Sequence, residues 1–379
     1  MAAIGQDVSK ASRHLAIFVS FSGTGGVERV TLNLLQGLSE EQDLLVDLLV
    51  VVAKRGQLPE VPWPNIRTID LGTSHSQMAI PALVRYLRAE RPDALMVAKD
   101  RAIRATIIAH RLAGVKTRLY GQLHMNMQGF MKDKSLVSRW LRILPMRWLF
   151  PSLRKIICVS EGVAQDTREI TGMSAERVIS LKNPVITPEV AKLAAEPVHH
   201  AWFDGQKKIL LAVGRLSPEK DFATLLRGFS MLTSEEDVRL VILGEGPLSE
   251  ELSALTQELG LEDRVAFLGY QTNPYAFMQK ASMLVLSSRW EGAPTVLIEA
   301  LSLGTPCVST DCDFGPREIF QDGKYGCLSP VGDPAALGQA IMKTLIDPLP
   351  RHVLQAAVED YAIQNSARSY LGVLFGDAS

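Results

Sequence analysis

The sequence has few of the residues that mark a secreted or metal-binding protein. Its 379 residues include only four cysteines, none in a CxxC pair or at a zinc-like spacing. We therefore expect reduced thiols, as in a cytoplasmic protein, rather than a disulfide framework. No N-terminal segment combines a basic region, an apolar core and a cleavage site, so no signal peptide is expected. The cysteines are Cys158, Cys307, Cys312 and Cys327.

Long hydrophobic runs are absent as well. The apolar stretch at 44–53 is about half the length that spans a bilayer, so we expect no membrane-spanning segment. Hydrophobic residues make up 47% and charged residues 21% of the chain, the balance of an ordinary globular protein. We expect a cytoplasmic protein that is at most peripheral to the inner face of the cell membrane, with no nucleic acid partner.

Charge is distributed unevenly along the chain. Residues 1–196 hold 26 Lys and Arg against 18 Asp and Glu, a net charge of +8. Residues 197–379 hold 14 against 23, a net charge of −9. The asymmetry predicts two domains with different partners, the basic one facing something anionic. The alternative is chance drift of surface charge.

Short apolar runs alternate with helical-period stretches, which predicts βαβ units, mostly parallel sheets and an α/β fold. The pattern pauses over 184–206, which contains three prolines, and we interpret this segment as a linker between two doubly wound domains. We expect an acceptor-binding domain at 1–190, a nucleotide-sugar-binding domain at 191–360 and a C-terminal helix at 361–379 that packs back on the first domain. Such sheets bind ligands at the carboxyl ends of their strands, and the cleft between the domains is the expected site.

The strongest functional signal is the segment RWEGAPTVLIEALSLGTP at 289–306. It follows an apolar strand, turns at Gly292 and begins a helix near Pro294. The N–H groups and the dipole of that helix start favour an anion or an electron-rich oxygen. Glu291 and Glu299 lie before and within the helix, where carboxylates accept hydrogen bonds from sugar or ribose hydroxyls. The alternative is a surface Glu and a helix Glu paired with a nearby basic side chain.

A second segment, VGRLSPEKDF at 213–222, follows the first strand of the second domain. Arg215 and Lys220 bracket its turn, where two cations neutralise a diphosphate. They would stabilise the negative charge that develops on a leaving group. The alternative is a pair of solvated surface cations.

A third segment, FSGTGGVERV at 21–30, places glycines between a strand and a helix. Gly25 and Gly26 allow the backbone to approach a ligand closely. The position three after Gly25 is Glu28, so the GxGxxG pattern of dinucleotide-binding enzymes is not met.

Weaker candidates follow other strands. Gly244, in LGEGP, is expected to line the nucleotide pocket, and Tyr270 and Gln271 to touch the base. His124 is a candidate for a hydrogen bond to the transferred sugar, against the more common structural role of a lone His. The DxD at 311–313 supplies too few ligands for a metal, so loop and cap roles are expected and no metal site.

The segment at 130–155 carries seven Lys or Arg against one Asp, together with Trp140, Trp148 and Phe150. Basic and aromatic residues along an interrupted helix suit an anionic membrane surface. The alternative is a helix that packs its apolar face on the domain and leaves its basic face solvated.

Seven motifs, in this order, resemble glycosyltransferase family 4. The resemblance spans nearly the whole chain and implies the GT-B fold, with two doubly wound Rossmann-like domains facing across a cleft. It also implies a retaining transfer without a metal, with the donor held mainly by the C-terminal domain. The motifs are GGVERV (25–30), VSEGV (159–163), NPV (183–185), VGRLSPEKD (213–221), LGEGP (243–247), EGAPTVLIEAL (291–301) and GPREI (315–319).

The resemblance implies roles for single residues in donor binding. Glu291 matches the first glutamate of the family's E-x7-E motif, beside the donor sugar, and Glu299 matches the second, at the ribose. Arg215 and Lys220 match the pair on the donor diphosphate. The donor-binding turn of the same motif contains Gly292, Ala293, Pro294 and Thr295.

Two further matches lie in the N-terminal half. Gly25 and Gly26 match the loop near the phosphate and the acceptor, and His124 falls where many members carry a His near the transferred sugar. Together the motifs predict transfer of a hexose or N-acetylhexosamine from a nucleotide diphosphate sugar, with UDP expected, to a lipid-linked or saccharide acceptor in polysaccharide or glycoconjugate biosynthesis. No cofactor or metal is expected besides the donor. The alternatives are a GT-B nucleotide-sugar epimerase and a non-catalytic nucleotide-binding protein.

Overall fold

The chain forms two compact units, which we call the N-terminal and the C-terminal unit. The N-terminal unit comprises residues 1–184 and 363–379, and the C-terminal unit comprises residues 185–362. The computed structural model describes residues 12–21, 26–52, 58–125, 127, 131, 135–205, 207–232, 237–313 and 315–376.

The N-terminal unit is built on a seven-stranded parallel sheet with the strand order β3-β2-β1-β4-β5-β6-β7. Its central strands are nearly continuous apolar runs because helices cover both faces of a parallel sheet. The strands are β1 (Arg13–Phe21), β2 (Leu44–Val52), β3 (Ile66–Asp70), β4 (Ala94–Ala98), β5 (Arg118–Leu123), β6 (Lys155–Cys158) and β7 (Val178–Ser180).

Helices follow most strands of the N-terminal unit, although β2 leads to β3 without a helix among the described residues. Several have clear end signals: Ser160 caps one by accepting from the Val163 N–H, and Gly114 ends another in the left-handed region. Within the described residues, no helix is both long enough and apolar enough to cross a lipid bilayer. The helices are α1 (Gly26–Leu38), α2 (Ile80–Glu90), α3 (Asp100–Ala113), α4 (Leu136–Leu149) and α5 (Glu161–Thr171).

The C-terminal unit repeats the architecture with a six-stranded parallel sheet in the order β10-β9-β8-β11-β12-β13. Two hydrophobic clusters, one on each side of this sheet, form its core. The strands are β8 (Lys208–Val213), β9 (Val238–Leu243), β10 (Val265–Phe267), β11 (Met283–Leu286), β12 (Cys307–Thr310) and β13 (Cys327–Ser329).

The structure differs from the linker interpretation of 184–206, because a helix forms there. Pro188 occupies its first turn, and Val190 and Ala194, one turn apart, are buried in the core of the C-terminal unit. The helices of this unit are α6 (Pro188–Ala194), α7 (Phe222–Ser230), α8 (Ser249–Glu258), α9 (Pro274–Lys280), α10 (Thr295–Ser302), α11 (Pro316–Ile319), α12 (Pro334–Ile346) and α13 (Arg351–Ala356).

The last helix, α14 (Ile363–Phe375), belongs to the N-terminal unit and packs on α1. Gly37 of α1 makes the close approach possible, since a Cβ there would lie 2.7 Å from the Ile363 carbonyl oxygen. Tyr370 of α14 is buried and accepts a hydrogen bond of 2.8 Å from the Gln122 amide on β5. The chain therefore returns to its first sheet after completing the second.

A buried carboxylate ties the sheet of the N-terminal unit to α2. Asp47 on β2 is 0% exposed, and Arg67 Nε and the Tyr86 hydroxyl donate to it at 2.7 Å each. His14 Nε2 lies 2.8 Å from Asp47 Oδ2. Burial by itself would raise the pKa of Asp47, but the hydrogen bonds from His14, Arg67 and Tyr86 outweigh it and lower the pKa to about 2.

We expect Asp47→Asn to lower the free energy of unfolding at pH 7 by about 2–3 kcal/mol, since each pKa unit is worth about 1.4 kcal/mol and the pKa falls from 3.8 to about 2 on folding. Because the carboxyl pKa is lower in the folded state, Asp47 stabilises the fold at pH values above 3.8, the pKa of the unfolded state. This stabilisation is lost as the pH falls through the folded-state pKa of about 2. Urea unfolding followed by circular dichroism at pH 7 and pH 2 would measure the effect. The exposed control Asp263→Asn should change stability by less than about 0.5 kcal/mol. An equal loss at both pH values would contradict the assignment.

Two glycines bring the loops after β8 and β9 into backbone contact. Gly244 has φ 137°, which L side chains rarely adopt, and a Cβ there would lie 1.9 Å from the Gly214 carbonyl oxygen. The Leu216 N–H donates to the Glu245 carbonyl at 3.0 Å, and the Gly244 N–H donates to Gly269 at 2.8 Å. These contacts fix the loop that follows β8.

We expect Gly244→Ala to destabilise the C-terminal unit by about 3 kcal/mol or more, because it adds both a backbone clash and conformational strain. Thermal unfolding would measure the change. Gly205→Ala is the matched control, since a Cβ on Gly205 would meet no atom within 4 Å. Equal melting temperatures for the two variants would contradict the proposed close packing.

Candidate active site

The predicted donor residues lie where the strand order of the C-terminal sheet reverses. The reversal falls between β8 and β11, which pair side by side. In doubly wound sheets, ligands bind outside the carboxyl ends of the strands at such a switch point. Arg215 and Lys220 follow β8, and Glu291 follows β11.

Lys220 and Glu291 form an ion pair at this point. Lys220 Nζ donates to Glu291 Oε1 at 2.6 Å, and the two side chains are 21% and 12% exposed. The stem of Lys220 lies over Gly214, where a Cβ would be 3.5 Å from Lys220 Cδ. An ammonium carries three N–H donors. The pair therefore leaves N–H groups on Lys220 for an anionic ligand.

Two serines directly after β11 hold this pair, and no motif in the sequence indicated them. The Ser288 hydroxyl donates to Glu291 Oε1 at 2.7 Å, and the Ser287 hydroxyl donates to the Lys220 carbonyl at 2.9 Å. Both serines are buried. The only available signal was their position, directly between an apolar strand and the predicted Glu291.

Arg289 makes further bonds to the loop after β8. Its backbone N–H donates to the Glu219 carbonyl at 2.8 Å, and its side-chain Nε donates to Asp221 Oδ2 at 3.0 Å. Asp221 has φ 44° and caps α7 by accepting from the Thr224 N–H. The segment after β11 therefore bonds three consecutive residues of the loop after β8, which are Glu219, Lys220 and Asp221.

Glu299 lies inside the C-terminal unit on α10 and is 4% exposed. The Tyr275 hydroxyl on α9 donates to Glu299 Oε1 at 3.4 Å. The start of α10 packs against the following loop, since a Cβ on Gly315 would lie 2.5 Å from Pro294 Cδ. The turn before the helix consists of Gly292, Ala293 and Pro294, and Thr295 is the first helical residue.

The other predicted donor contacts are more exposed. Arg215 is exposed, and within the described ranges its guanidinium forms no ion pair. Tyr270 is 64% exposed and its N–H lies 3.4 Å from Glu245 Oε1. The Gln271 amide donates to the Leu268 carbonyl at 2.6 Å, so this side chain is committed to its own loop. Tyr270 thus presents its side chain to solvent, whereas Gln271 shapes the loop.

Both Asp residues of the DxD motif contact other parts of the C-terminal unit, Asp311 through its carboxylate and Asp313 through its backbone. Arg317 pairs with Asp311 and with Asp322, and Asp313 forms a backbone bridge with Trp290. In the part of the chain that the structure describes, no cluster of three or more His, Cys, Asp or Glu is placed to hold a metal ion. A cavity of about 870 Å³ beside β13 and α12 is lined by Asp311 and Arg317 but not by the predicted donor residues.

No cysteine is disulfide-bonded, and all four lie within the described residues. Cys312 is buried, and burial together with the charge of Glu291 raises the pKa of its thiol to about 12. A thiol must lose its proton to act as a nucleophile. Cys312 therefore stays protonated at neutral pH and supplies no thiolate.

The N-terminal sheet carries a second Lys–Glu pair at its own switch point, which the sequence analysis missed. Lys99 follows β4, has φ 73° and donates from Nζ to the Ser20 carbonyl on β1 at 3.0 Å. Its Nζ lies 3.6 Å from Glu28 on α1, whose side chain is 2% exposed. Gly26 begins α1, and Gly25 lies outside the described residues. A charged residue directly after the apolar run of β4 was the available signal.

His124 follows β5 in the same unit. Its Nε2 is buried and has no hydrogen-bond partner among the described residues. Burial and the charge of Lys99 lower the pKa of His124 to about 4. The imidazole is therefore neutral at physiological pH, and it can donate or accept a hydrogen bond but does not act as a cation.

Helix α4 presents part of the basic, aromatic segment to solvent. Trp140 is 64% exposed and Trp148 is 75% exposed, whereas Arg142 turns inward and pairs with Asp100 on α3 at 3.1 Å. Phe150 is 0% exposed, so its expected place among the surface aromatics was wrong. It follows the helix as part of a turn that packs into the core. Residues 130 and 132–134 lie outside the described part of the chain.

Family profiles match both halves of the chain. Residues 24–188 match the family described as Glycosyltransferase Family 4, and residues 200–362 match Glycosyl transferases group 1. The two matches follow the two units closely.

Individual proteins give the same result. An N-acetylgalactosamine-N,N'-diacetylbacillosaminyl-diphospho-undecaprenol 4-alpha-N-acetylgalactosaminyltransferase of Campylobacter jejuni is 32% identical over 345 residues, 88% of this chain and 90% of the relative. The lipopolysaccharide outer core galactosyltransferase WaaB has a similar structure, with a TM-score of 0.75, 21% identity, and coverage of 96% of this chain and 99% of WaaB. Anabaena Alr3699/HepE in complex with UDP gives a TM-score of 0.72 at 17% identity, covering 96% and 100%. The chain is therefore a glycosyltransferase that belongs to family 4 and has the GT-B fold of two Rossmann-like domains.

Proposed function

We propose that this glycosyltransferase is a retaining enzyme that transfers a hexose or N-acetylhexosamine from a UDP-sugar to a lipid-linked or saccharide acceptor. The observation that carries the proposal is the Lys220–Glu291 ion pair of 2.6 Å at the switch point of the C-terminal sheet. It joins a cation suited to a diphosphate to a carboxylate suited to sugar hydroxyls. The two groups that a nucleotide-sugar donor needs thus lie side by side.

Donor binding divides among the residues by their chemistry. Arg215 and Lys220 hold the diphosphate, Arg by its planar fork and Lys as a point charge. Glu299 accepts hydrogen bonds from the ribose hydroxyls, and its burial strengthens them because few water molecules compete. The exposed ring of Tyr270 stacks on the base. The UDP complex of the Anabaena protein supports UDP as the nucleotide.

The donor's anomeric carbon loses its bond to the leaving phosphate oxygen and gains one to an acceptor hydroxyl on the same face. The hydroxyl proton passes to the leaving phosphate, so no separate base is required. Arg215 and Lys220 stabilise the charge that develops on that phosphate and thereby take the part of a metal ion. Lys220 and Ser288 hold Glu291 at Oε1, and in this same-face transfer the carboxylate binds sugar hydroxyls, with no protein nucleophile required.

The acceptor side of the proposal rests on the N-terminal unit. The Campylobacter relative's name describes a diphospho-undecaprenol acceptor, a lipid carrier. Trp140, Trp148 and Leu141, which is 63% exposed, form an apolar face on α4 beside the exposed Arg147. Such a face inserts its rings at the headgroup level while arginine meets lipid phosphates. We include peripheral binding to an anionic membrane in the proposed function.

Isothermal titration should show that UDP-sugars bind. We expect Glu299→Ala to weaken UDP binding about 10- to 100-fold, because it removes charge-assisted hydrogen bonds. Lys220→Ala should mainly lower turnover, by about 100-fold or more. The exposed controls Glu258→Ala and Lys280→Ala should behave like the wild type. Unchanged turnover in Lys220→Ala would refute the diphosphate role, and an epimerised UDP-sugar formed without acceptor would identify an epimerase instead.

Flotation with vesicles tests the membrane part. The wild type should bind vesicles of phosphatidylcholine mixed with phosphatidylglycerol, less so at high salt, since salt screens exposed charges. The double variant Trp140→Ala with Trp148→Ala should bind at least about tenfold more weakly, because two large apolar side chains no longer insert. Ile346→Ala removes a side chain of similar exposure, 74%, in the C-terminal unit and is the control. Failure of the wild type to float would remove the membrane claim.

A further inference from the structure

Both contacts of the Glu291 carboxylate within the described residues fall on one oxygen. Lys220 Nζ lies 2.6 Å and the Ser288 hydroxyl 2.7 Å from Oε1. A carboxylate held at one oxygen by two donors has its plane fixed, and the second oxygen then points in one direction. That second oxygen, Oε2, keeps its acceptor capacity for a ligand.

Ser288 is itself held rigidly. It is 0% exposed, and its carbonyl oxygen accepts from the Thr310 hydroxyl on the neighbouring strand at 2.6 Å. The Ser287 hydroxyl bonds the carbonyl of Lys220 instead, so the two adjacent serines serve the two members of the ion pair separately. Ser288 has a buried position, a fixed backbone and a hydroxyl directed at Glu291.

The second donor on Oε1 matters because Lys220 has a competing ligand. A diphosphate carries more charge than a carboxylate and draws the lysine ammonium toward itself. If Lys220 were the only partner, Glu291 would lose its anchor as the donor bound. The Ser288 hydroxyl is neutral, so a diphosphate does not attract it as it attracts the ammonium.

We infer that Ser288 is a positioning residue for donor-sugar recognition, which keeps Glu291 Oε2 directed at the sugar when the diphosphate recruits Lys220. This inference rests on the proposed function, because it assumes a nucleotide-sugar donor at this site. Ser288 acts on the sugar only through Glu291 and contributes nothing to the nucleotide itself.

The test compares the dissociation constants of UDP and of a UDP-sugar, measured by titration calorimetry without any acceptor. UDP-N-acetylgalactosamine, UDP-galactose and UDP-glucose are the probes, and the tightest is carried forward. Ser288→Ala should raise the ratio of the UDP-sugar constant to the UDP constant about tenfold, the loss expected for a hydrogen bond to a charged group. The UDP constant should stay within about twofold of the wild type. A general structural defect would weaken both ligands alike.

A double-mutant cycle with Glu291→Ala separates positioning from independent binding. With the carboxylate gone, Ser288→Ala should add nothing to the ratio, whereas multiplying losses would show that Ser288 acts by another route. Ser309→Ala is the matched control, since Ser309 is also 0% exposed and, among the described residues, its hydroxyl bonds the carbonyl of Thr310 and not Glu291. It should leave the ratio unchanged. An unchanged ratio in Ser288→Ala, with UDP still bound, overturns this inference alone, while a wild type that binds neither UDP nor any UDP-sugar overturns the proposed function as well.

Discussion

The ion pair between Lys220 and Glu291 is the constraint around which the C-terminal unit is arranged. A partly buried ion pair gains little net stability, because removing two charges from water costs about as much as their attraction returns. The fold nevertheless holds it from both sides. Gly214 and Gly244 allow the loops after β8 and β9 to pack in backbone contact, and a residue after β11 donates a hydrogen bond to the Lys220 carbonyl. The fold thus positions a pair that adds little to its stability, which agrees with the donor-binding role proposed for it.

Each unit has a Lys–Glu pair at its switch point, but the order of the two residues along the chain is reversed. In the C-terminal unit the lysine follows β8, the first strand, and the glutamate follows β11, across the reversal of strand order. In the N-terminal unit Glu28 follows β1, and Lys99 follows β4 across the corresponding reversal. Lys99 also holds a φ of 73°, a conformation that costs free energy for a non-glycine residue. This strained residue lies at a switch point, where a doubly wound sheet is expected to bind its ligands.

The sequence predicted the α/β class correctly, because apolar runs such as those of β1 and β11 are set by local pattern, and the motifs that resemble family 4 predicted the GT-B fold correctly. It placed Glu291 after a strand and Glu299 in a helix for the same reason. The contacts of Ser287 and Ser288 could not be predicted from the sequence. The Ser287 hydroxyl meets the Lys220 carbonyl 67 residues away, whose proximity only the sheet creates, and no motif marks the short-range bond from Ser288 to Glu291. Helix α6 was missed because seven residues hold too few turns to show a period. Phe150 was misassigned since composition alone does not tell which aromatic residues of a segment turn inward.

Net charge and local charge act at different ranges in this molecule. The C-terminal half carries a net charge of −9, yet the anionic donor is proposed to bind there. The two observations agree, because exposed charges are screened beyond about 10 Å and the proposed diphosphate site depends on two nearby cations, Arg215 and Lys220. A membrane, by contrast, responds to many charges spread over a surface. The excess of +8 in the N-terminal half therefore bears on what that half docks against, while the donor site has to be inferred from single residues.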